Sequence, residues 1–240
     1  MNVAWAVGAL GIFVAHFVYG LAGFGVGLVA MSVLPFVMAP AAAVVLLTLY
    51  AFVFSVVIFV SVRHDFMPGA IAWLLLGTVL GTPLGVYVLA VAPASVVNRL
   101  IGATLVVVVA LEFAGKMPRR LEGRHWQIGA GVLSGLTGGA VGLPGPPFII
   151  YAATQPWSPR AFKANIQAFF VVNQGVILVG YWMAGLLTRE VARLTVIYVV
   201  PAVAGIALGM SLFNRVDPVR FRRIVFALLA VSGVMLLVFG

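Results

Sequence analysis

The feature that most constrains this chain is a glycine-rich phrase that occurs twice inside strongly apolar sequence. Residues 20–28 read Gly-Leu-Ala-Gly-Phe-Gly-Val-Gly-Leu, and residues 135–143 read Gly-Leu-Thr-Gly-Gly-Ala-Val-Gly-Leu. Gly, Leu, Gly, Val, Gly and Leu recur at matching places. A glycine in a helix interior costs about 1 kcal/mol relative to alanine. Clusters of them within apolar runs therefore predict helices that are broken.

The surrounding sequence says what solvent those helices meet. The chain is 64% hydrophobic and 8% charged, with a mean hydropathy of +1.21. Soluble domains carry roughly 25% charged residues, and a core of this size could not hide so much apolar surface. The apolar stretches have helix length and lack the alternation of an outer-membrane barrel. The chain reads as an all-α integral membrane protein. Its net charge of +9 does not indicate nucleic acid, because Lys and Arg fall in short loops between apolar runs, the placement that membrane insertion favours. The absence of cysteine excludes disulfides and thiolate metal sites, and neither a metal nor a cofactor is expected. Met1 to Trp5 contain no basic n-region, so a cleaved signal peptide is not expected.

Eight hydrophobic segments can be read, at 3–38, 41–62, 69–92, 99–115, 126–154, 162–187, 191–213 and 222–240. The charge-dense link 116–125 separates two similar halves, 1–115 and 126–240. Their similarity extends beyond the glycine phrase. Gly-Thr-Pro-Leu-Gly at 81–85 resembles Gly-Ile-Ala-Leu-Gly at 205–209, and Arg99, Ala103 and Leu105 align with Arg223, Ala227 and Leu229. These matches describe a duplicated four-segment unit.

Charge counting addresses whether each glycine-rich segment crosses the bilayer or turns back. If all eight segments cross, seven Lys and Arg residues fall on each side, and no orientation signal remains. If segments 1 and 5 are re-entrant hairpins turning near 20–27 and 135–145, Arg63, Lys116, Arg119, Arg120, Arg124, Arg160, Lys163, Arg215, Arg220, Arg222 and Arg223 share one side. Only Arg99, Arg189 and Arg193 lie opposite. Eleven against three is a clear positive-inside bias. Each half then has three full crossings, which makes the repeats inverted, places both termini outside and leaves the 116–125 linker in the cytoplasm. Against this stands the length of the first arm, since a helix over 3–19 would span about 25 Å.

A re-entrant turn leaves backbone groups without helical partners, and these survive at membrane depth only when buried in protein or lining a cavity. A helix N-terminus there offers N–H donors and partial positive charge to an anion. Gly23, Gly25, Thr137, Gly138 and Gly139 are the candidate backbone-site residues, and the Pro-Gly-Pro-Pro run at 144–147 cannot continue a helix. Close packing through GxxxG spacing is the competing explanation, since Gly23/Gly27 and Gly138/Gly142 both fit it. Further candidates are polar residues inside apolar runs: Lys163, Asn165, Gln167 and Asn173 in segment 6, with Thr48 and Tyr50 in its first-half counterpart. Each also has a plainer role, as an interhelical hydrogen bond or, for Lys163, an interfacial anchor. His16 is the one histidine in an apolar run and a weak candidate for proton coupling. Glu112 is the one acid inside a hydrophobic segment, where pairing with Lys116 at i,i+4 is expected.

The duplicated four-segment organisation, the paired phrases at 20–28 and 135–143 and the compact size resemble the sulfite exporter TauE/SafE family of membrane transporters, over nearly the whole chain. The resemblance implies transport of a small sulfur-containing anion (sulfite, sulfoacetate or a related organosulfonate) and a bacterial inner membrane location. Taken from the residues alone, paired interruptions in two repeats point to a transporter's binding site. Few buried acids argue against a cation that wants carboxylates. No ATP-binding domain is read in these residues, so the energy is expected to come from an ion gradient or from the substrate gradient itself, with the proton motive force preferred, and a coupling proton is an expected partner beside the anion and the lipid bilayer. The sequence carries no signature of oligomeric state.

Other classes fit less well. A channel or an uptake carrier for another small anion is the nearest alternative. An intramembrane aspartyl protease needs paired acids, yet Asp65 and Asp217 lie in loops. Ser134 precedes Gly135 but has no assured histidine base, so no enzyme activity is expected. A purely structural role would not require costly glycine-broken polar segments.

Overall fold

Among the described residues each half of the chain forms five α-helices where the hydrophobic pattern marks four segments, because both glycine-rich segments split in two. The structure, a computed structural model, describes residues 3–114, 121–212 and 218–240, and side chains outside 218–224. Lys116, Arg119, Arg120, Arg215 and Asp217, and the side chains of Arg220, Arg222 and Arg223, lie outside the described residues, and so does the expected Glu112–Lys116 pair.

In the first half α1 (Val3–Ala22) ends where Gly23 and Gly25 take positive φ, at 76° and 90°. The short α2 (Val26–Met31) and a 3-10 turn at Leu34–Phe36 follow. Then come α3 (Pro40–Val62), α4 (Pro68–Val91) and α5 (Ala94–Ala114). In the second half α6 (Arg124–Val141) ends at Gly142, which caps it at φ 71°. The short α7 (Gly145–Ala152) is followed by α8 (Pro159–Met183), α9 (Arg189–Leu212) and α10 (Pro218–Phe239). Proline opens α3, α4, α8 and α10, where its missing N–H costs nothing. Ser158 caps α8, its side chain accepting from Ala161 N at 3.2 Å.

Among the described residues six helices are long and apolar enough to cross a membrane: Val3–Ala22, Pro40–Asp65, Pro68–Val91, Ala94–Ala114, Pro159–Met183 and Arg189–Leu212. Twenty residues of helix span about 30 Å, the thickness of the hydrocarbon layer.

Two units can be distinguished. One comprises Met1–Leu47, Ala92–Gly115 and Thr188–Gly240; the other comprises Thr48–Val91 and Lys116–Leu187. Each takes helices from both halves of the sequence. In the first unit α1 packs on α9 and α5 on α10. A Cβ at Gly20 would strike the backbone of Ile206 and Met210, and one at Gly205 or Gly209 would strike the carbonyl of Phe13 or Phe17. In the second unit α4 packs on α6 by the same device, extended further. Added Cβ atoms at Gly77, Gly81 and Gly85 would overlap the backbone at Ile128, Val132 and Leu136, and those at Gly131 and Gly135 the backbone at Leu74 and Thr78. Small residues at i,i+4 spacing let two backbones touch, the packing that membrane helices use in place of a hydrophobic drive.

Both broken segments fold back. Gly11 in α1 lies against Val33 and Leu34, beyond the break at 23–25. Across the second break, Gln155 Nε2 donates to Leu121 O at 3.0 Å, and Leu121 N donates to Thr154 Oγ1 at 3.3 Å. The two ends of the α6–α7 segment are therefore tied together.

Candidate functional site

Buried polar side chains concentrate in the second unit. Thr48, Ser55, Thr78, Thr82, Ser134, Asn165, Gln167, Asn173 and Gln174 are buried there, against His16, Ser32 and Ser232 in the first unit among the described residues. Placing an amide or hydroxyl in an apolar interior without a partner costs roughly 1–3 kcal/mol, so each needs a structural or functional reason.

Asn173 provides the centre of the cluster. Its Nδ2 donates to Thr78 Oγ1 across the α4–α8 contact. Its Oδ1 has no hydrogen-bond partner among the described residues and faces Gly138, 3.4 Å from where a Cβ on that glycine would stand. Gly138 is therefore small for a reason other than backbone contact: its Cβ would meet Ile177 Cδ1 at 2.8 Å and Pro144 Cβ at 2.9 Å. Ser134 lies one turn earlier on α6, on the same face, fully buried and with its Oγ unpartnered. Gln174 Oε1, next along α8, also lacks a partner. Thr82 Oγ1 donates to Thr78 O at 2.7 Å, holding the α4 side of the cluster.

The last turn of α6 is closed by hydroxyls. Tyr181 donates to Gly139 O at 2.8 Å and approaches Gly138 O at 3.3 Å, with Thr48 within hydrogen-bonding reach of the same phenol. Thr137 Oγ1 lies 2.8 Å from Leu133 O and 2.9 Å from Leu143 O, so it links the carbonyls on either side of the break. These bonds cover carbonyl oxygens that would otherwise present negative charge at the break. In α7 Pro146 and Pro147 remove two of the first four N–H groups. The side chains of α4, α6 and α8, rather than a row of backbone donors, supply the polar groups around Gly138.

The structure distributes the sequence-derived candidates unevenly. Gly138 and Asn173 come together, and Thr48 joins them through Tyr181. Gly139 sits against the α4 backbone at Val86 and Thr82, a packing position. Asn165 Oδ1 accepts from Met67 N at 2.9 Å and so anchors the turn before α4. Gln167 is fully buried on α8. Tyr50 stacks with Phe54, ring centroids 6.2 Å apart. Lys163 is exposed in the first turns of α8, about 15 Å along the helix from Asn173. Gly23 and Gly25 belong to the first unit, where they turn the chain out of α1. His16 is in that unit too, fully buried, with Nδ1 2.8 Å from Ile12 O.

Thr78, Thr82 and Tyr181 escaped the sequence reading, and Ser134 entered it only as a possible nucleophile. A signal existed for the first two: Gly77-Thr78 and Gly81-Thr82 repeat at i,i+4, which puts a hydroxyl beside each close-contact glycine.

No curated protein and no solved structure matches this chain. The family model described as Sulfite exporter TauE/SafE matches residues 7–236 of the 240. The chain therefore belongs to the sulfite exporter TauE/SafE family, a family of membrane transporters.

Proposed function

We propose that this protein is a secondary transporter that exports a small sulfur-containing anion (sulfite, sulfoacetate or a related organosulfonate) across a bacterial inner membrane. The observation that carries the site is the cluster of Asn173, Thr78 and Ser134 around Gly138, where fully buried polar atoms remain without partners beside a broken helix. Membrane helices keep such groups where a solute will use them. The cluster holds no carboxylate for a hard divalent cation, and the buried hydroxyl of Ser134 can donate to an anion's oxygen.

The folded-back α1–α2 and α6–α7 segments support re-entrant hairpins, and the eleven-to-three charge bias supports cytoplasmic placement of the 116–125 linker with both termini periplasmic. The two halves are then inverted repeats, and transport proceeds by alternating access driven by the proton motive force. If a proton passes over the protein, His16 is the residue to take it.

Labelled sulfite flux into proteoliposomes holding the purified chain tests this reading. Saturable flux that supports counterflow and is lost in Gly138→Leu is expected. Flux no greater than in empty liposomes would remove sulfite as the solute, and flux without saturation or counterflow would make the protein a channel.

A further inference from the structure

We infer that the transported species is the singly charged form of the solute, bearing a protonated oxygen or hydroxyl that is read by Asn173 Oδ1, so that any proton moved travels on the solute. This rests on the transport reading above and specifies the chemistry of the same site.

The first argument is hydrogen-bond polarity. Asn173 spends Nδ2 on Thr78 Oγ1, and the oxygen left over is an acceptor aimed at Gly138. Gln174 Oε1 is a second unpartnered acceptor, and Ser134 Oγ can accept as well as donate. An anion with acceptor oxygens alone would leave these amide oxygens unpaired, whereas one carrying an O–H satisfies them. A site that hydrogen-bonds a hydroxyl rejects the analogue lacking it far more strongly than an apolar pocket rejects a missing methylene.

The second argument is charge. The described side chains of the cluster are all neutral: Tyr181 is bonded to two backbone carbonyls, α7, which packs on α6 and α8, carries Tyr151, and Arg63, His64 and Asp65 of the 3-10 turn packed on α8 are exposed. The cations of those helices, Arg124 on α6 and Arg160 and Lys163 on α8, are exposed near the helix starts, as is His125. Ion desolvation rises with the square of the charge, so a dianion costs about fourfold more than a monoanion, with no buried cation there to offset it. A hydrogen sulfite ion meets both conditions: one charge and one proton. Its outward movement carries one proton with one doubly charged sulfite, so export draws on the electrical part of the proton motive force, which favours exit of one net negative charge, and no protein group changes protonation.

The test uses the purified full chain in proteoliposomes with equal pH on both faces and a fixed membrane potential. At constant total sulfite, the initial rate should fall about tenfold per pH unit above the second ionisation of sulfurous acid. Sulfate should not compete, and 2-hydroxyethanesulfonate should compete about tenfold better than ethanesulfonate. Asn173→Leu should erase that difference. Should this variant fail to insert, Ser134→Ala supplies the same readout through a smaller narrowing of the gap. His16→Gln discriminates the proton's route: a retained pH profile keeps the proton on the solute, and a flattened one puts it on the protein and overturns the inference. Strong flux that rises with pH, or full competition by sulfate, would overturn this inference and leave the transport reading intact. Absence of sulfite and sulfonate flux at every pH would remove both.

Discussion

The two glycine phrases match at six places, yet the chain leaves its helix one turn later in the second than in the first. α1 stops at Ala22, and Gly23 is left-handed. The residue aligned with Gly23 is Gly138, which remains helical, and α6 runs on to Val141 before Gly142 turns out. Local chemistry accounts for the shift. Gly25, a left-handed position in the first phrase, is matched by Ala140 in the second, where a Cβ favours the helix. The prolines at 144, 146 and 147 then end α6 on their own terms. The extra turn places Gly138 inside α6, facing Asn173, and surrounds it with hydroxyls and amides. In the first unit the equivalent stretch turns the chain out of α1.

Breaking the scaffold should have the largest effect. Gly81→Leu drives a side chain into the Val132 backbone, and backbone contacts cannot yield as side-chain ends do. Loss of folded protein is expected, at several kcal/mol, above the usual ~1–3 for overpacking, read as the yield of monodisperse protein in detergent. Gly209→Leu should fail in the same way in the first unit. If either variant accumulates normally, close packing is not what these glycines provide.

Gly138→Ala separates site from scaffold. Its Cβ meets the flexible tip of Ile177 and one proline carbon, so the protein should insert, destabilised by about 1 kcal/mol, while sulfite flux falls at least tenfold. Wild-type flux would detach the second break from solute binding. Gly139→Leu should instead lose folded protein, because that glycine touches the α4 backbone.

Tyr181→Phe removes the cover from the Gly139 carbonyl. A stability loss of about 1–3 kcal/mol is expected for an orphaned buried carbonyl, visible as a lower melting temperature. No shift would mean that the break needs no closure by that hydroxyl.

The smallest effects belong to the exposed positions. Gly129→Ala has open space at its Cβ and should stabilise α6 by up to about 1 kcal/mol. Lys163→Ala should raise the half-saturation concentration for the anion by less than an order of magnitude, yet by more than Arg220→Ala does. Equal effects would make Lys163 a topology charge alone.

Membrane placement, helical class and the two breaks were legible in the sequence because they rest on local quantities. Long apolar runs must form helices in lipid to satisfy their backbones, and glycine and proline act within a few residues of where they stand. Partner choice is not local. Nothing in the order of residues says that the glycines of α4 mesh with those of α6, or that Gly20 meets α9, so Gly139 could not be assigned to packing and Gly138 to the polar cluster. The same holds for the buried amides. Asn165 and Asn173 are eight residues apart on one helix, but one anchors the turn before α4 and the other meets Thr78. Which polar groups end up paired, and which remain available to a solute, was decided by the tertiary structure, because a hydrogen bond across helices depends on how those helices pack.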